Sequence, residues 1–170
     1  FKPTLVLDPG HGGHDSGAQR NGAIEKDVVL AFSLVLRDRL KATGRYDVLM
    51  TRDDDSFVEL DERRDFAERH KAALFMAIHA DYASSKASGA TIYSLRDSVA
   101  NDLKRSAAGE VSRNVLSDSE MQAIKKTEVA DTSVVSGFLA DLAQREVAVT
   151  HERSNVFARS MIEFMGDATP

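Results

Sequence analysis

The stretch Thr4-Leu5-Val6-Leu7-Asp8-Pro9-Gly10-His11-Gly12-Gly13 decides the fold. A short apolar, partly β-branched run breaks into a glycine-rich turn, the pattern of a buried strand that delivers the chain to a sheet edge. The pattern recurs at Leu74-Phe75-Met76-Ala77-Ile78, a continuous apolar run ending in His79-Ala80-Asp81 that suits a strand covered on both faces. Between them Val28, Val29, Phe32, Val35, Leu36 and Leu40 recur near helical period and Gly44 supplies a stop, so the spacing predicts a helix over 27–40. Residues 46–50 read as a second strand, 60–71 as a charged amphipathic helix with Phe66 and Ala67 inward, and 89–95 as a fourth strand. Such alternation predicts an α/β fold, a mostly parallel twisted sheet flanked by helices.

Beyond Leu95 the period changes. Val99, Leu103, Ala107, Val111 and Val115 fall four apart on one helical stripe. Val134, Val135, Phe138, Leu139 and Leu142 mark another helix, and Val156, Phe157, Met161, Phe164 and Met165 a third, stopped near Gly166. With no repeat and no low-complexity linker, 1–170 reads as a single domain with a helical second half.

Composition narrows the function classes. The chain has 170 residues, 42% hydrophobic and 29% charged, with a net charge of −5. That is enough apolar content for a packed core and speaks against a disordered chain. No apolar run approaches the ~18 residues of a membrane-spanning helix, so no transmembrane segment is expected. A nucleic-acid binder carries a basic surplus, which is missing here; Lys104-Arg105 and Lys125-Lys126 are short solvated faces. There is no cysteine, which removes disulfides, thiol catalysis and cysteine-based zinc fingers. Phe1-Lys2-Pro3 opens the chain without Met or an apolar signal core, which reads as a trimmed domain whose targeting segment, if any, is absent.

His11 lies just past the first strand and His79 just past the third. If both strands run parallel, both imidazoles emerge at one sheet edge, where open α/β sheets bind ligands. Glu25, in Gly22-Ala23-Ile24-Glu25-Lys26-Asp27, stands at the approach to the first long helix and so beside the same edge. Two imidazoles and a carboxylate there suit a catalytic zinc site with its fourth position open to water. Each residue has a plainer counterpart. A lone histidine is ordinarily a surface or packing residue, as His14, His70 and His151 are read here, and the glycines around His11 can mark no more than a tight turn. Arg52-Asp53-Asp54-Asp55 lacks the glycine and terminal glutamate of an EF-hand loop, and reads as a solvated turn that helps cap the following helix.

The blocks Leu5 to Gly13, Asp15-Ser16-Gly17-Ala18 and Gly22 to Lys26, followed by Leu49 to Asp55, Leu60 to Arg63 and Phe75 to Asp81, stand in an order that resembles the zinc-dependent N-acetylmuramoyl-L-alanine amidases of type 3. The likeness spans residues 4–95. It implies that His11, Glu25 and His79 are the Zn2+ ligands. It also implies hydrolysis of the amide between N-acetylmuramic acid and L-alanine of peptidoglycan, by water of lowered pKa attacking a metal-polarised carbonyl. Arg63 matches a block of that family and is expected to pair structurally with a carboxylate.

The stretch 97–145 is similar to the regulatory helical insertion after the fourth strand in amidases of Gram-negative cell division. There a helix covers the site and a glutamate plugs the metal until a protein activator docks. Glu110 best fits that block, with Glu120 and Glu128 as weaker candidates, and Gly109 beside it lowers helix propensity. This resemblance implies a periplasmic enzyme for septal wall splitting. It also implies a general-base glutamate on a strand near the C-terminus; Glu152 and Glu163 lack that block's neighbours, so the base, with the family's last strand and helix, is expected beyond Pro170. On that reading the segment 1–170 is incomplete and inactive or autoinhibited. The alternatives are a catalytically silent zinc-containing domain that binds peptidoglycan or a partner, and a zinc peptidase cutting the stem peptide.

Overall fold

The computed structural model describes residues 2–80, 89–94, 97–114 and 132–168, except the side chains of 107–114, 132–139 and 166–168. The chain divides into two compact units, Phe1–Ala87 and Ser88–Pro170.

In the first unit β1 (Thr4–Pro9) lies between β4 (Asp47–Met50) and β5 (Leu74–Ile78), all parallel. Parallel neighbours need crossovers, supplied by α1 (Glu25–Ala42) between β1 and β4 and by α2 (Leu60–Arg69) between β4 and β5. A small antiparallel pair, β2 (Gln19–Arg20) and β3 (Ala23–Ile24), precedes α1. Val6, Leu7, Val29, Val48 and Ala67 form the buried apolar core. The central strand is buried because both neighbours and the helices cover it, which gives an α/β fold with helices flanking a parallel sheet.

Three expectations need correction. Residues 89–94 are not a strand, so the sheet among the described residues has three strands. β5 is not covered on both faces: exposure alternates along it and Phe75 is 41% exposed. Among the described residues β5 pairs only with β1 and so stands at the edge of the described sheet, and a continuous apolar run cannot distinguish edge from centre. In α1 the face turned inward carries Glu25, Val29 and Ser33, while Val28, Phe32 and Val35 are exposed.

The second unit packs α3 (Asp97–Asn114) against α4 (Thr132–Ala168). The two helices expected around 134–142 and 156–165 are one helix of 37 residues. The intervening residues hold no Gly or Pro from 143 to 155, so nothing local stops the helix. Ala100 and Ala158 are buried, and Ser94 bonds Asn155 at 2.7 Å. Among the described residues no helix is long and apolar enough to cross a membrane.

Candidate metal centre

The register of the sheet builds the site. β1 and β5 pair down to Pro9 with Ile78, and the Gly10 N–H donates to the Ile78 carbonyl at 2.9 Å. Each chain therefore leaves the sheet beside the other, and His11 and His79 follow within two residues. Their rings stand edge to face with centroids 5.0 Å apart. Gly10 permits this: a Cβ there would strike the His79 imidazole.

Glu25, the first residue of α1, is carried in by the turn that precedes it. Its N–H donates to the Ala18 carbonyl at 2.8 Å, and Lys26 N–H to the Ser16 carbonyl at 3.2 Å. Gly17 (φ +63) sits where a side chain would collide with both His11 and Glu25, so the loop closes against the carboxylate only with glycine there. The Glu25 oxygens accept from Ala18 N–H at 2.8 Å and Ala80 N–H at 3.0 Å. Burial acts to raise the pKa of Glu25, but those two backbone donors, then His79 and His11, outweigh it and hold the carboxyl below its ordinary value.

One oxygen of this ionised, 4%-exposed group, Oε1, lies 3.2 Å from His11 Nε2 and 3.1 Å from His79 Nδ1. The three donor atoms lie within 4.8 Å of one another. The donor set fits a divalent cation. His11 Nδ1 is hydrogen-bonded to Asp15 Oδ2 at 2.8 Å, so with its proton there Nε2 turns a lone pair toward the carboxylate oxygen. Two lone pairs at that distance repel unless a cation lies between them, and two imidazoles with one carboxylate are the ligand types of a catalytic zinc site.

Behind the site the loop is held by buried arginines. Arg63, from α2, donates to Asp8 Oδ1 at 2.7 Å and to the carbonyls of Val58, Pro9 and His11 at 2.8 Å each. Thr51 Oγ1 donates to the same Asp8 oxygen at 2.5 Å. Arg63 thus pairs with a carboxylate, as expected. The reading of 52–55 as a solvated turn holds for Asp53, Asp54 and Asp55, which are exposed, but not for Arg52: it is 4% exposed and donates to the carbonyls of Pro9, Gly10, Lys26 and Asp54. Burial, then the nearby Arg63, pulls its pKa below the usual guanidinium value. Asp55 does not cap α2, whose N-cap has no side-chain hydrogen bond; it accepts from Gly13 N–H at 2.8 Å and from Lys26 Nζ at 2.6 Å.

The remaining sequence candidates lie elsewhere. His14 is exposed and stacks on Phe57, with ring centroids 4.2 Å apart. His70, at the end of α2, bonds the Phe66 carbonyl at 2.8 Å. His151, Glu152 and Glu163 lie on α4. Glu110 lies on α3, but its side chain falls outside the described residues, and Glu120 and Glu128 lie outside them altogether. Sequence reasoning gave Asp15 no role and missed the burial of Arg52 and the Lys26–Asp55 pair; the i, i+4 spacing of His11 and Asp15 across the glycine turn was the one available signal.

A family model described as N-acetylmuramoyl-L-alanine amidase matches residues 5–161. AmiA of Escherichia coli (strain K12), named as an N-acetylmuramoyl-L-alanine amidase, is 48% identical over 96 residues, 55% of this chain and 33% of AmiA. The chain thus spans about a third of that relative's length. The catalytic domain of the amidase CwlV from Bacillus (Paenibacillus) polymyxa var. colistinus is similar in structure, with a TM-score of 0.51, 34% identity and coverage of 65% of this chain and 64% of that one. The CwlD amidase of Clostridioides difficile, solved with the GerS lipoprotein, gives a TM-score of 0.53 at 26% identity over 76% of this chain and 71% of that one.

Proposed function

This chain belongs to the N-acetylmuramoyl-L-alanine amidase family, and from that premise we propose that it hydrolyses the amide between N-acetylmuramic acid and L-alanine in peptidoglycan, with Zn2+ held by His11, Glu25 and His79. The observation that carries this reading is the convergence of those three donors within 4.8 Å at the ends of β1 and β5 and the start of α1. Bound there, Zn2+ supplies Lewis-acid chemistry, polarising a carbonyl and acidifying water. The chain's own residues do the positioning. Ala18 and Ala80 N–H groups keep Glu25 ionised and fixed, Gly10 and Gly17 let the imidazoles and the carboxylate approach, and Arg63 anchors the His11 backbone.

The finer reading rests on the sequence resemblance. It takes 1–170 as a single catalytic domain with a regulatory insertion at 97–145, acting in the periplasm at septal wall splitting. Glu110 serves there as the inhibitory carboxylate, a protein activator docks on the insertion, and a further glutamate acts as general base. Glu110→Ala in the whole protein then raises basal hydrolysis, and no rise overturns that role.

The direct test is metal content and product. His11→Ala and His79→Ala are expected to lose stoichiometric Zn2+ by elemental analysis, and unchanged content overturns the ligand assignment. Mass analysis of digested muropeptides is expected to show intact stem peptides beginning at L-alanine; cuts between stem residues would mark a peptidase, and no cuts a wall-binding domain.

A further inference from the structure

The two histidines of the centre are held by different means. His79 packs on the Gly10 backbone with its side chain 45% exposed, and approaches Glu25 through Nδ1 at 3.1 Å. His11 is 21% exposed and held at both ring nitrogens, by Asp15 at Nδ1 (2.8 Å) and toward Glu25 at Nε2 (3.2 Å). We propose that Asp15 is the positioning residue of this centre, holding His11 in the Nδ1–H tautomer so that its Nε2 lone pair faces the point shared with Glu25 and His79. The inference rests on the metal reading above and adds the residue that makes His11 a ligand before any cation arrives.

The argument turns on what His11 does without Asp15. A neutral imidazole carries one proton, on either nitrogen. With the proton on Nε2, His11 donates to Glu25 Oε1 at the separation already present, and the pair closes on itself. A cation must then break that hydrogen bond and move the proton before it can be held. Asp15 removes this option by accepting the proton's hydrogen bond on the opposite side of the ring. Its carboxylate is in turn fixed: Oδ1 accepts from Gly17 N–H at 3.1 Å, and the Asp15 backbone exchanges bonds with Gly12 at 2.9 and 3.0 Å. The His11 backbone is clamped as well, at φ +60 with its carbonyl accepting from Arg63 at 2.8 Å. Carboxylates behind metal-binding histidines set the tautomer and ring orientation in this way.

The test measures Zn2+ affinity, by competition with a chromophoric chelator, for the parent protein, Asp15→Ala and Asp15→Asn. Imidazole 15N NMR of the metal-free proteins reads the His11 tautomer. Asp15→Ala is expected to weaken Zn2+ binding about 10–100-fold and to move the His11 proton to Nε2. Asp15→Asn, which keeps an acceptor oxygen and nearly the same volume, is expected to recover part of the loss, and carries the test if the alanine variant does not fold. Equal affinity in the parent and both variants overturns this inference alone. So does a loss of affinity with the tautomer unchanged, which would make Asp15 a loop-structure residue. A parent protein that takes up no Zn2+ overturns the metal reading together with it.

Discussion

The two units of the chain are held together by opposite means. In Phe1–Ala87 the residues Asp8, Glu25, Arg52 and Arg63 are each 4% exposed, and the guanidiniums are bonded to backbone carbonyls of the loop after β1. In Ser88–Pro170 the residues that are buried, among those described, are Ala100 and Ala158, while Leu142, Val149, Val156, Ile162 and Phe164 are exposed. Burying a charge is costly unless it is paired and fully hydrogen-bonded, so the first unit tolerates little change around its charges. A helix pair closes its backbone hydrogen bonds within each helix and asks less of its side chains. Buried charge accompanies the place where loop geometry has to be exact enough to assemble three donors on one point; in the helical unit no charged residue is buried among the described residues.

The largest effect expected from this contrast is at Arg63. Arg63→Ala leaves Asp8 buried with its ionic partner gone and takes the Arg63 donor from the Val58 and His11 carbonyls, so urea denaturation should show a loss of about 3–5 kcal/mol. Arg63→Lys should restore little, because one ammonium cannot reach acceptors spread over the loop and Asp8. A loss within 0.5 kcal/mol, an ordinary surface value, would erase the distinction between the units.

A smaller effect is expected at the exposed edge of the same network. The Lys26 ammonium, then the Gly13 N–H, hold the Asp55 carboxyl below its usual value of 3.8. A carboxyl whose folded pKa is depressed adds stability above its unfolded pKa and loses it as pH falls through the folded one. Asp55→Asn should therefore lower the melting temperature slightly at neutral pH and flatten its fall below about pH 4; an unchanged acid limb in the variant counts against the pair.

The smallest effect is expected in the helical unit. Phe164 is 74% exposed, so Phe164→Lys should change stability by less than about 0.5 kcal/mol, measured by thermal unfolding. A larger loss would mean that this face is as tightly constrained as the Arg63 network.

Much of the first unit was legible residue by residue. The apolar run at 5–7 and the glycine turn behind it predicted β1 and its loop, and the period of 28–40 predicted α1. What failed has a common cause. Phe75 and Ile78 look alike in a list of apolar residues whether a strand is central or at an edge, and 134–142 and 156–165 look like two helices until the stretch between them, free of Gly and Pro, is seen to continue the same helix. Arg52 sits in an acidic run that resembles any solvated turn; its burial follows from four carbonyls that converge on it from Pro9, Gly10, Lys26 and Asp54.

The order of the local blocks, the two histidines placed just past strands and the acidic residue ahead of a long helix are properties of the chain itself, because period, turn chemistry and residue type are local. Pairing is not local. That β1 lies between β4 and β5 and that Pro9 stands against Ile78 follow from which surfaces bury each other, a choice made among segments tens of residues apart. The three candidate ligands could be named from the chain alone, but only the folded sheet and its loops bring their donor atoms to one point.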